Sequence, residues 1–210
     1  MRNIPYQKQQ NITAEEALKL LKEGNKRFLD HHFIHRDFEE QRQETSEAQY
    51  PFAVILSCID SRMPTEIIFD QGIGDIFNIR MPGNIINKDV LGSLEFACRL
   101  SGTPLIVVMG HTSCGAVKGA CDHVKLGNLT GLLTKIEPAI AAVQTAPGVL
   151  RNSENQDFVN EVAKVNVKVA MDEISKGSKI LDAMIQTQEV KLVGAMYDLE
   201  SGAVDFDLPF

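Results

Sequence analysis

The chain has 210 residues, 23% of them charged and 44% apolar, with 21 Lys and Arg against 28 Asp and Glu for a net charge of −7. A chain of this length buries about 70% of its unfolded surface, so it needs neither a disulfide nor a metal merely to hold a core. The acidic balance speaks against nucleic acid or an anionic membrane as a partner, since both call for a basic face.

The N-terminus, Met1 to Lys8, leads into a polar stretch without an apolar signal core, and no apolar run approaches the roughly 18 residues of a membrane span. A cytoplasmic address is expected. Thr13 with Glu16 three positions later forms a capping box, and Ala17, Leu18, Leu21 and Phe28 follow at helical spacing, which predicts an amphipathic helix over 14–29. Residues 30–50 are polar and mixed, with His31, His32 and His35, and read as a solvated arm that must pack on something to be ordered. Short continuous apolar runs then appear at 52–56, 105–109 and 192–196, the pattern of strands buried on both faces, with a further strand over 74–80. Helical segments are predicted near 63–69, 90–101, 114–126, 129–144, 155–175 and 178–187. The alternation predicts an α/β fold, a mostly parallel central sheet flanked by helices. It reads as a single domain over 1–210, with an N-terminal helical arm over 1–50 and the α/β core over 51–210.

In parallel sheets, chemistry collects at the carboxyl ends of the strands. Cys58, Asp60 and Arg62 follow the 52–56 run, and His111 and Cys114 follow the 105–109 run. Two thiolates and an imidazole make a soft shell that suits tetrahedral zinc, with a fourth position for water or another ligand. Asp60 either accepts a hydrogen bond from water at that position or takes the position itself, and Arg62 competes for it as a bidentate partner. Each motif alone is weak. Cysteine after a buried strand is most often a small apolar residue, and a His–Cys pair also describes a thiol nucleophile and its base. Four cysteines, at 58, 98, 114 and 121, are too sparse for a disulfide scaffold. Cys98 and Cys121 read as core filler, and Gly83 and Gly102 as turn residues.

The pair Cys58-Ile59-Asp60-Ser61-Arg62 and His111-Thr112-Ser113-Cys114-Gly115 resembles the β-class carbonic anhydrases. The resemblance runs through Glu15 to Phe28, Phe69 to Phe77, Arg80 to Asn84, Gly92 to Ala97 and Val193 to Asp198. It implies a carbonic anhydrase, a lyase that hydrates carbon dioxide reversibly to bicarbonate and a proton through zinc-bound hydroxide. By the same resemblance, Cys58, His111 and Cys114 hold one Zn2+ per subunit, and Asp60 and Arg62 form the catalytic dyad. Gln49, Phe77, Phe96 and Gly115 bind substrate, with the glutamine and the apolar wall reaching a neighbouring subunit's site. The N-terminal arm packs on that neighbour, in a dimer or dimer of dimers. Two departures stand out. Phe96 replaces a tyrosine common in the wall. Arg80 and Tyr197 match two residues of a bicarbonate regulatory site, while its tryptophan position is Ile55 in a chain with no tryptophan. Three other readings share these residues: hydrolysis of carbon disulfide or carbonyl sulfide, a structural zinc, and a thiol enzyme using Cys114.

Overall fold

The computed structural model describes residues 11–209, so Met1 to Lys8 and the start of the arm lie outside the described residues. Helix α1 (Ala14–Leu29) begins at the predicted capping box. The Thr13 hydroxyl accepts the Glu16 N–H at 3.2 Å, and the Glu16 carboxylate accepts the Thr13 N–H at 2.9 Å. Its apolar face is seated on the sheet of its own chain, where Ala17 and Leu21 are fully buried with Phe52, Ile55 and Phe69. Gly24 permits the approach, because a Cβ there would stand 1.8 Å from the Phe69 carbonyl oxygen.

The stretch 30–50 holds an unpredicted helix, α2 (Phe38–Glu44), capped by Asp37. Apolar periodicity misses it because its buried residue is Gln41, whose Oε1 accepts the Ile73 N–H at 3.0 Å. The arm is fastened by a buried carboxylate. Asp70 takes Arg27 from α1 and Arg36 from the segment before α2, and its side chain is 2% exposed.

The core follows as β1 (Ala53–Ser57), α3 (Thr65–Ile68), β2 (Ile76–Arg80), α4 (Lys88–Glu95), β3 (Leu105–His111), α5 (Gly115–Cys121), α6 (Gly127–Leu133), α7 (Glu137–Ala142), α8 (Gln156–Gly177), α9 (Lys179–Gln186), β4 (Lys191–Tyr197) and β5 (Val204–Asp205). The sheet order is β2-β1-β3-β4-β5. Every pairing is parallel except the last, the two-residue β5 lying antiparallel on β4. Along β1, Val54 and Leu56 face Val90, Leu94, Val167 and Ile174, while Ala53 and Ile55 face α1, so helices cover both sides of the sheet.

Several predicted helices are shorter than their apolar patterns. The segment 90–101 is helical from Lys88 to Glu95 and then widens to a π turn over Phe96–Leu100. The segment 114–126 stops at Cys121, where His123 enters the left-handed region at φ 53. The segment 129–144 is broken because Pro138, in the first turn of α7, has no N–H to continue the preceding turn. These short helices and the start of α8 build a third apolar cluster, Val117, Ile136, Phe158 and Val162 among its members, which packs against Cys58 and Cys114. No helix of the described residues is long and apolar enough to cross a membrane.

Asp70→Asn leaves two arginines without their carboxylate, one of them buried, which costs about 3–5 kcal/mol when a buried pair is broken from one side. Chemical denaturation is expected to show a lower midpoint for this variant, with the 30–45 segment first to gain protease sensitivity. An unchanged midpoint would show that the arm is held by other contacts.

Candidate metal centre

The pairing of β1 with β3 sets Ser57 opposite Met109, so the two carboxyl ends open side by side. Cys58 leaves β1 directly, His111 is the last residue of β3, and Cys114 is the N-cap of α5. All three are buried, and their ligand atoms lie within 4.8 Å of one another. The two sulfurs are 3.9 Å apart, against the roughly 3.8 Å expected of two thiolates at ~2.3 Å on a tetrahedral ion.

The histidine is oriented by its own turn. His111 Nδ1 lies 2.8 Å from the Thr112 carbonyl, which only accepts, so Nδ1 carries the proton. Nε2 then turns a bare lone pair toward the sulfurs, fully buried and without a hydrogen-bond partner among the described residues. A buried acceptor without a partner is costly unless something fills its place. Nitrogen and two sulfurs converging there fit zinc by chemistry and spacing. The thiols already share a proton unevenly. Cys58 is drawn well below the usual thiol range, first by the hydrogen bond from Cys114 and further by the Gly83 N–H, against its burial. Cys114 is pushed up, by that same bond and by burial. Cys98 and Cys121 stay outside the cluster, with burial pushing their thiols up to about 12 and about 11.

Asp60 sits at the rim. Arg62 Nε donates to its Oδ1 at 2.8 Å and Nη2 to its Oδ2 at 2.7 Å, and the Arg62 backbone N–H adds a third bond at 3.0 Å. That grip, led by the guanidinium, holds the carboxyl well below the usual carboxylate range. Oδ2 reaches within 4.0 Å of His111 Nε2. Arg80 fastens the turn from β2, donating to the Cys58 carbonyl at 3.1 Å and the Asp60 carbonyl at 2.6 Å. Gly83 is more than the turn residue its sequence context suggests. Its N–H points at Cys58 Sγ at 3.4 Å, its φ is 64°, and a Cβ would stand 2.8 Å from Ile136 Cδ1.

The remaining expected site residues sit elsewhere in the single chain. Phe77 and Phe96 meet edge to face at 6.1 Å. They line a groove of about 550 Å³ with Val54, Ile79 and Ser93, which the ligand residues do not border. Gln49 is exposed in the loop before β1. Gly115 is exposed at the start of α5, with nothing within 4 Å of where a Cβ would be. Ile55 is fully buried under α1, and Tyr197 lies opposite His111 in the sheet.

A family model described as carbonic anhydrase matches residues 53–204. The chain is 37% identical over 201 residues to a carbonic anhydrase of Mycolicibacterium smegmatis, covering 93% of this chain and 94% of that protein. Its backbone matches the crystal structure of the β-carbonic anhydrase CafA of Aspergillus fumigatus with a TM-score of 0.69 at 24% identity, covering 93% of this chain and 91% of that one. It also matches a tetrameric β-carbonic anhydrase of Sordaria macrospora with a TM-score of 0.67 at 19% identity, covering 80% and 90%.

A carboxyl held low by a partner contributes stability above its ordinary value of ~3.9 and loses it only as pH falls toward the depressed value. Asp60 therefore stays ionised across neutral pH. Arg62→Gln is expected to move the Asp60 titration up toward ~4, read by the carboxyl carbon shift in aspartate-labelled protein. A titration that stays put would assign the depression to another group.

Proposed function

The chain belongs to the β-class carbonic anhydrase family, and from that premise we propose that it hydrates carbon dioxide reversibly to bicarbonate and a proton with one Zn2+ per subunit. The observation that carries this reading is the bare, buried Nε2 of His111 facing two thiols, with an ionised carboxylate 4.0 Å from that nitrogen. Cys58, His111 and Cys114 would hold the ion. Bound there, zinc would supply Lewis acidity, lowering the pKa of water to about 7.

The chain's own groups do the rest. Asp60 Oδ2 accepts one bond from Arg62 and keeps a lone pair for the hydrogen of a water in the site, which fixes that water's orientation. Arg62 keeps Asp60 ionised and holds it back from the fourth ligand position. A structural zinc site needs no such pair, and a thiol enzyme would not need a second cysteine at 3.9 Å. Carbon dioxide is small and apolar, so binding energy is scarce and positioning dominates.

We assign that positioning to Phe77 and Phe96 as an apolar wall, Gln49 as an amide donor to a bicarbonate oxygen, and Gly115 as open space beside Cys114. Because the wall and the ligands do not meet in one chain, the wall serves the site of a neighbouring copy, in a dimer or dimer of dimers. The half-exposed Phe96 and the place of β2 at the edge of the sheet among the described residues support this, as does the tetrameric description of the Sordaria relative. The first ten residues aside, the arm is already fastened to its own chain, so its contact with a neighbour adds to that anchorage. Four unpaired cysteines agree with a reducing, cytoplasmic setting.

Stopped-flow hydration of carbon dioxide on protein of known zinc content tests the reading. Turnover is expected to follow zinc, to vanish on chelation and return with zinc, and to rise from pH 7.5 to 8.5, because two thiolates donate charge to the ion. Full zinc occupancy without turnover at either pH would overturn the assignment. Asp60→Asn is expected to keep its zinc and lose most of its turnover. Wild-type rates in that variant would remove Asp60 from the reaction.

A further inference from the structure

Helix α8 reaches both ligand loops with an asparagine apiece. Asn160 Oδ1 accepts the Ser113 N–H at 2.9 Å, and a second bond from Gln156 Nε2 at 2.8 Å, so its side chain is used as an acceptor. Ser113 lies between His111 and Cys114 with φ 56°, a left-handed conformation that an L residue rarely holds unsupported. Asn166 is used the other way round. It is 2% exposed, and its Nδ2 donates to the Gly83 carbonyl at 2.7 Å. The far side of that glycine, its N–H, points at Cys58 Sγ at 3.4 Å.

Neither asparagine is explained by the helix. Asparagine is a weak helix former, and Asn166 interrupts an apolar stripe of Val162, Ala163, Val167 and Ala170 that a leucine would continue. Helix α8 is 22 residues long and packed along β3. It therefore ties one peptide against each thiol-bearing loop to a single frame.

We propose that Asn160 and Asn166 are positioning residues that set the spacing and direction of the Cys114 and Cys58 thiolates for zinc, acting through Ser113 and Gly83. This rests on the zinc reading above. Partners of metal ligands typically alter metal affinity about 10–100-fold when removed. The two asparagines have opposite hydrogen-bond roles, which makes the test selective. Aspartate keeps the acceptor at 160 and destroys the donor at 166.

The experiment compares Asn160→Asp, Asn160→Leu and Asn166→Asp in the full chain. It reads zinc affinity by chelator competition and the sulfur-to-cobalt charge-transfer band after Co2+ substitution. Asn160→Leu and Asn166→Asp are expected to lose about tenfold or more in zinc affinity and to shift the cobalt band. Asn160→Asp is expected to retain wild-type affinity and band. Wild-type affinity and band in both disrupting variants would overturn the proposal, even with a lowered melting temperature. If Asn166→Asp does not fold, the Asn160 pair decides, and equal metal binding by its aspartate and leucine forms overturns it. A wild-type chain that takes up neither zinc nor cobalt would instead overturn the metal reading beneath it.

Discussion

The site depends on the parallel pairing of β1 with β3. Parallel strands bring their carboxyl ends to one side of the sheet, and adjacency fixes the distance between what they deliver. Cysteines 56 positions apart in the chain thereby come to 3.9 Å. The cost of such an arrangement lies in the connection, since each crossover must pass over a face of the sheet. Helices α1 and α8 on opposite faces bury that surface and remove the tolerance for a shifted register. A slip of one residue in β1 would turn Cys58 to the other side of the sheet.

Electrostatics then works on this frame in two layers. Thiols this close cannot both ionise cheaply without a cation, so the pair is divided, one drawn down and the other pushed up. A divalent ion would resolve the conflict at once and fill the place facing His111 Nε2. Outside that layer Asp60 stays charged because Arg62 grips both of its oxygens, and Arg80 prevents the turn from unwinding by holding its carbonyls. The asparagines of α8 extend the same logic inward, each satisfying a backbone group that would otherwise be free to move a ligand.

Much of the centre was legible in the sequence because the groups that do chemistry sit immediately after continuous apolar runs. Valine, isoleucine and leucine at 54–56 and 105–108 mark buried strands, and the residues after them must lie at strand ends. Helix α1 was legible to the residue through its capping box. What stayed hidden has a common cause, namely contacts made by polar residues without periodicity. Helix α2 is held by Gln41 and Asp37, the arm by Asp70, and the thiol loops by Asn160, Asn166 and Gly83. Asn166 left one readable trace, a polar residue in an apolar stripe. The π turn at Phe96 and the break at Pro138 depend on local backbone bonds that apolar spacing does not report. That Phe77 and Phe96 lie apart from the ligand residues within one chain was implied by the family resemblance and by no spacing or periodicity of the sequence.

X-ray absorption at the zinc edge tests the central claim most directly, because it reads the donor set without depending on turnover. The account predicts two sulfurs at ~2.3 Å and two lighter donors, one of them an imidazole nitrogen, at ~2.0–2.2 Å. Loss of one sulfur shell in Cys58→Ser and again in Cys114→Ser would assign the ligands. Three or four sulfurs, or a shell unchanged by either substitution, would contradict it.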